Sequence, residues 1–501
     1  MTPKHHRLEF VLFLLVLALL SSNALLFTVK VANPLVISDG WTFVDKVVRK
    51  SAEGHFAWQD IFFKRSAMDH SQPLRKLILL FHYRYFDLDF SIEAIAGLLF
   101  GFANIGLLWG IARHGRGDTR PSASELLGFG ALTAVYFSLN ATAVYSYPLM
   151  TLSYSSHTFI LMMLVCAWFA LVSARWHVVS LLAAAALAMN VVADDTGIIV
   201  TIACLLAILL QVFRGAPRRR ALLVAVVVAG ACVAYNIGYD MLLPRPQGAG
   251  GKLDFAGLLG RYSQAWQLSI PFAASIVHLT HLREWFGTGA EVAAGLIAIV
   301  VMAAHGWFWW RALTGSRNLA SFVAIALMLM FYGLVAGILL GRVGAKGVMY
   351  LWQPRYTLLY EWNIVALLLM ALAQLRSTAW MARPANRHGV AVAGAIPARV
   401  MMTASVLLLV LQVPLSLDAW QHVRPIQAYQ QRMAVRIGRL ALDPGNDPGR
   451  CMPQMVVCHF PESRREELMR FLEGHQLNLF SPTFQRRHQL YPGPGAIPPS
   501  R

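Results

Sequence analysis

Eleven long apolar runs, separated by short polar segments, decide most of what this chain can fold into. They lie at roughly Leu8–Val29, Ile92–Ala112, Leu126–Tyr147, Thr158–Ser173, Val178–Ala193, Ile198–Phe213, Ala221–Tyr239, Val292–Trp310, Ala320–Leu340, Tyr356–Leu375 and Val400–Leu417. A helix that crosses the bilayer core needs about 20 mostly apolar residues. Only 14% of the 501 residues are charged and 57% are hydrophobic, whereas ordinary soluble domains carry about 25% charge. The composition argues against a water-soluble globule and against a disordered chain. It predicts an all-α polytopic membrane bundle of about eleven transmembrane helices.

The net charge of +18 invites a nucleic-acid reading. The basic residues, however, sit between apolar runs, and no basic-aromatic module is visible, so nucleic acid is not an expected partner. Their placement instead sets an orientation. With the amino terminus cytoplasmic, the inner segments hold Lys4 and Arg7, Arg113 and Arg120, Arg175, Arg214 and Arg218 to Arg220, Arg311 and Arg317, and Arg376 and Arg399. The outer turns around Pro148 and Asp194-Asp195 hold no Lys or Arg. This is the positive-inside pattern of a multi-pass protein of a bacterial inner membrane. An odd number of spans puts the carboxyl terminus outside, in the periplasm. The first run continues through Val29, longer than a signal-peptide core of about 7–15 residues, and reads as an uncleaved span.

Two units follow: a membrane module over residues 1–417 and an extracytoplasmic cap over 418–501. The large outer loops are about 30–91 and 240–291. Cys451 and Cys458 lie in the tail. An oxidising compartment permits a disulfide between them, two unpaired thiols being the alternative. Ser463-Arg464-Arg465-Glu466 has the form of a capping box that starts a helix, and Gly474 suits its end.

The first outer loop gathers the groups that chemistry on an external substrate needs. It reads Ser38-Asp39-Gly40-Trp41, Glu53-Gly54-His55-Phe56, Met68-Asp69-His70-Ser71-Gln72-Pro73 and Asp87-Leu88-Asp89. A carboxylate can take a proton, and a cation can hold a phosphate. Asp39 is the first candidate and Asp69-His70 the second, while Asp87-x-Asp89 has the form of a metal–diphosphate device. A second set, Gly341-Arg342-Val343-Gly344 to Gln353-Pro354-Arg355-Tyr356, places cations at the mouth of a span. A guanidinium matches phosphate oxygens with a fork of donors. Asp194-Asp195 reads as the cap of a tight turn.

These segments resemble the GT-C superfamily, polytopic glycosyltransferases that use polyprenyl-phosphate-linked sugars, and in particular its uncharacterised bacterial branch. The likeness rests on Asp39 soon after the first span, on Glu53-Gly54-His55-Phe56 through Gln72-Pro73-Leu74, and on Gly341-Arg342-Val343-Gly344 with Pro354-Arg355-Tyr356. The tail phrase Phe471-Leu472-Glu473-Gly474-His475-Gln476-Leu477-Asn478-Leu479-Phe480 adds to it. Relatives tend to show Asn-Glu-His-Arg where this chain has Asp69-His70-Ser71. The resemblance implies inverting transfer of a sugar from the carrier to an envelope glycan or lipid acceptor. It implies Asp39 and then Asp69 as catalytic carboxylates, and His70, Arg342, Arg355 and Tyr356 in substrate binding. Where such enzymes use Mg²⁺ or Mn²⁺, the oxygen ligands here would come from Asp39 with Asp69 or Asp89. The competing readings are a lipid-linked polysaccharide polymerase or ligase, and a non-enzymatic carrier or flippase. A carrier should hold ionisable groups near the midplane, whereas here they gather at one face.

Overall fold

The computed structural model describes residues 3–64, 70–115, 120–173, 175–243, 268–381, 390–445 and 451–491. Every regular element among them is helical. The membrane part comprises α1 (Pro3–Val31), then, after α2 (Pro73–Tyr85) in the first loop, α3 (Ser91–Arg113), α4 (Ala123–Tyr136), α5 (Tyr154–Ser173), α6 (Trp176–Ala193), α7 (Thr196–Phe213) and α8 (Arg218–Leu242). It continues through the short α9 (Leu279–Phe286) to α10 (Ala290–Thr314), α11 (Leu319–Ile338), α12 (Pro354–Met381) and α13 (Val390–Gln421). The tail adds α14 (Val423–Leu442), α15 (Glu462–Gly474) and α16 (Pro482–His488).

Ten segments among the described residues are long and apolar enough to cross a membrane. The run expected at Leu126–Tyr147 is built differently and corrects that expectation. Its helix α4 has 14 residues, about 21 Å at 1.5 Å per residue, against a core of about 30 Å. The chain goes on as irregular, buried backbone over Phe137–Ala141, then as helical turns Thr142–Ser146 and Pro148–Leu152. Non-helical backbone is tolerated at membrane depth only where protein satisfies it. Here Asn140 Nδ2 donates to the Ala274 carbonyl at 2.8 Å, and its Oδ1 accepts from the His278 N–H at 2.6 Å. Tyr145 donates to the Ser138 carbonyl at 3.0 Å. The segment still traverses the bundle. Phe129 stacks edge-on against Trp109 near the end of α3, whereas Gly97 near its start abuts Thr151. A Cβ on Gly97 would lie 2.3 Å from the Thr151 carbonyl oxygen, so only glycine permits this approach.

The tail packs at the face where α1 ends. Gln430 Nε2 donates to the Val31 carbonyl at 2.7 Å and Gln427 to that of Lys30 at 3.1 Å. First loop and tail share one apolar core. Val36, Trp41 and Phe43 meet Met433 and Ile437 of α14, Leu468 and Leu472 of α15, and Phe484 of α16. Cys451 and Cys458 form the expected disulfide. Closing so short a loop contributes about 2–3 kcal/mol in the chain-entropy picture. The capping box is a correction: α15 starts at Glu462 behind Pro461, with no side-chain cap, so the proline's fixed φ starts the helix two residues early.

Asp89, buried at the end of the first loop, anchors the tail. Its Oδ1 accepts from the Ser91 N–H (3.0 Å) and hydroxyl (2.6 Å). Its Oδ2 accepts from Arg487 (2.9 Å) and His488 (2.7 Å). Burial opposes its charge, but the His488 hydrogen bond and charge, with Ser91 and Arg487, outweigh it and hold the carboxyl below the usual carboxylate range. A depressed folded-state value means stability that is complete above the unfolded value, near 4, and lost as pH falls through the folded one. Asp89→Asn is expected to lose roughly 1.5–3 kcal/mol at neutral pH. The gap in melting temperature from wild type should begin to shrink as pH drops below about 4 and close below the depressed folded-state value; a gap independent of pH would remove this assignment.

Candidate functional site

Asp39 is set by its neighbours in sequence. Leu35, Val36 and Ile37 bury beneath it, Ser38 turns through a left-handed φ of 47°, and Trp41 is fully buried behind it. The Ser38 N–H donates to the Gln454 carbonyl of the tail at 2.7 Å, and the Asp39 carbonyl accepts from the Phe43 N–H at 3.1 Å. Gly40 is required because a Cβ there would stand 2.8 Å from the Phe90 ring. The Asp39 carboxylate is left half-buried at the face where the tail packs. It shares an electrostatic environment with Tyr147, on which Arg75 and Glu93 also act.

Beneath lies a buried charged triad. Arg75 and His82 are seven residues apart on α2, hence on one face. Both meet Glu93 in the first turn of α3: Arg75 Nε at 3.2 Å and His82 Nε2 at 3.4 Å. All three side chains are under 4% exposed. Lys76, equally buried, donates to the carbonyls of Ile61 (2.9 Å) and Phe63, and the Phe43 ring lies 5.0 Å from the Arg75 guanidinium. A cleft of about 70 Å³ opens beside Arg75, lined also by Gln72, Leu152, Ser153, Ser155 and Ser156. That is well below the ~300 Å³ of a small-molecule pocket.

His70 joins a second group. Its Nδ1 lies 3.7 Å from Asp195 and 4.0 Å from Asp194. Lys64 stands between the two carboxylates, 2.9 Å from Asp195 and 3.5 Å from Asp194. Burial pulls the Lys64 pKa down, but the two carboxylates outweigh it and keep it above the usual lysine value. The reading of Asp194-Asp195 as a bland turn cap needs correcting. Asp194 has a φ of 50° and is 4% exposed. It accepts from the Ser71 N–H at 2.6 Å and the Tyr235 hydroxyl at 2.9 Å, clamping the first loop to α8. Asp194→Ala strands both donors and is expected to cost about 2–4 kcal/mol. Thermal melting in detergent checks this, and a loss under about 1 kcal/mol would contradict the clamp.

A third group lies at the mouth of α12. Arg342, Lys346 and Arg355 are exposed. Arg355 donates to the Tyr350 hydroxyl and rests against two rings, 5.2 Å from Tyr350 and 5.0 Å from Tyr356. Arg342 and Arg355 both act electrostatically on Tyr356. Such cation–π contacts fix the direction of a guanidinium without using up its donors.

Of the carboxylates expected to hold Mg²⁺ or Mn²⁺, Asp69 lies outside the described residues and Asp89 gives both oxygens to Ser91 and the tail. Asp39 remains. The residues sequence reasoning missed are Lys64, Arg75, His82 and Glu93, together with Glu361. An acid inside an apolar run was the available signal for the last two. Glu361 is 5% exposed within α12 and acts on Tyr136, Tyr145 and Tyr154; like the buried His157 and His305, it departs from ionisable groups gathering at one face.

No family model matches the sequence, and no curated protein does. Among solved structures the chain is similar to ArnT from Cupriavidus metallidurans, crystallised bound to undecaprenyl phosphate. The identity is 13%, over 93% of this chain and 88% of that one, with a TM-score of 0.47. What the helices themselves establish is the class: an all-α, polytopic membrane bundle with a helical cap on one face.

Proposed function

We propose that the protein transfers a sugar from a polyprenyl-phosphate carrier to an envelope glycan or lipid acceptor at the outer face of the bacterial inner membrane, with inversion. One observation carries the reading: an exposed guanidinium, Arg355, is aimed by Tyr350 and Tyr356 at the first turn of a membrane helix. A phosphate whose lipid tail lies in the bilayer presents its oxygens at that level. In this reading Asp39 takes the proton of the acceptor hydroxyl. The freed oxygen attacks the anomeric carbon from the face opposite the phosphate. The bond from that carbon to the phosphate oxygen breaks, and the phosphate leaves on its carrier with its charge met by Arg355 and Arg342. Asp69 would serve as the second carboxylate, and His70, exposed beside Asp195, would contact sugar hydroxyls.

The test is mass spectrometry of envelope glycans from cells with the gene, without it, and complemented with Arg355→Ala or Arg355→Lys. The expected result is a sugar missing from one glycan or lipid after deletion. Alanine should fail to restore it, because a lost phosphate clamp costs about 10²–10³ in rate, and lysine should restore it in part. Unchanged glycans after deletion would overturn the reading, and full restoration by normally expressed Arg355→Ala would remove Arg355 from it.

A further inference from the structure

A cluster away from all three groups has the geometry of a transition-metal site. His281 and Glu284 are three residues apart on α9, and Asp418 and His422 four apart at the end of α13, spacings that put each pair on one helical face. One ligand atom each of His281, Glu284 and Asp418 lies within 4.8 Å of the others. His422 Nε2 is 3.7 Å from Glu284 Oε1. The carboxyl groups of Glu284 and Asp418 are within hydrogen-bonding reach of each other. Two carboxylates so close repel unless a proton or a cation stands between them. Among the described residues, no lysine or arginine pairs with either. The His70 cluster differs, since Lys64 already fills the cationic position there.

The imidazoles supply the second observation. His281 is 4% exposed, and its Nε2–H donates to the Asn140 carbonyl at 2.9 Å. Its Nδ1 faces the Asp418 carboxylate, with which it is in contact. The Nδ1–H of His422 donates to the Asp418 backbone carbonyl at 2.9 Å, leaving Nε2 facing Glu284. A ring N–H tied to a backbone carbonyl, with the other nitrogen aimed inward, is how proteins fix a metal-ligating histidine.

We infer that His281, Glu284, Asp418 and His422 bind one Zn²⁺ ion, two nitrogens and two oxygens in the tetrahedral set that ion accepts. The ion ties α9 to the outer end of α13, and through Asn140 to the broken segment after α4. The site is independent of the transfer reaction proposed above.

The experiment uses the full chain purified in detergent, loaded with Zn²⁺, desalted and analysed for metal by mass spectrometry, with binding titrated against a chromophoric chelator. Wild type should retain one zinc per chain and melt at a higher temperature with zinc than after EDTA. His281→Ala should retain none. Glu284→Gln and His422→Ala, at the exposed edge, should fold and bind about 10–100-fold more weakly. His70→Ala should bind as wild type does. Failure of wild type to retain zinc, or retention unchanged in Glu284→Gln and His422→Ala, would overturn the assignment.

Discussion

Glu93→Ala is expected to be a severely damaging single change, costing about 3–5 kcal/mol. Glu93 is fully buried and answers two partners, the Arg75 guanidinium and the His82 imidazole. Its removal leaves the Arg75 guanidinium, 3% exposed, charged and with no counterion. The cost comes from that uncompensated charge more than from any net worth of the pair. Replacing both partners with leucine, Arg75→Leu with Glu93→Leu, should therefore recover much of the loss. The measurement is the melting temperature in detergent, with fluorescence-detected gel filtration to follow folding. A single variant as stable as wild type, or a double variant worse than the single, would show that the triad is not the buried ionic knot described.

Asp39→Asn should show the opposite profile: normal folding and a large loss of activity. The side chain is half-exposed, and the amide keeps its shape. Losing a general base costs about 10²–10⁴ in rate. The comparison is transfer by purified wild type and Asp39→Asn from a polyprenyl-phosphate sugar to the acceptor identified by the glycan analysis, together with their melting temperatures. Transfer within tenfold of wild type would exclude Asp39 as the base. A large drop in melting temperature would recast it as structural.

The membrane architecture was legible in the sequence because apolar length alone decides which segments can cross a bilayer. The Cys451–Cys458 bridge was legible because both thiols fall in the outer tail. What stayed hidden depends on partners distant in the chain. The break after α4 is apolar on both sides and shows only in the carbonyl and amide groups that Asn140 satisfies across the bundle. Asp89 reads as half of a D-x-D, yet its partners are Arg487 and His488, about four hundred residues later. Asp194 reads as a turn residue because its real partners, Ser71 and Tyr235, lie on other elements. Local pattern predicts elements; it does not predict which charges meet.

The shared core of first loop and tail has a consequence for biogenesis. Trp41 and Phe43 are made early, but the residues that cover them, Met433 to Phe484, follow only after the membrane helices. The loop that carries Asp39 must wait, incompletely covered, until α14 to α16 pack on it. A chain cut before Met433 would lack the residues that cover this core. The loop is thereby finished only after α14 to α16 have been made.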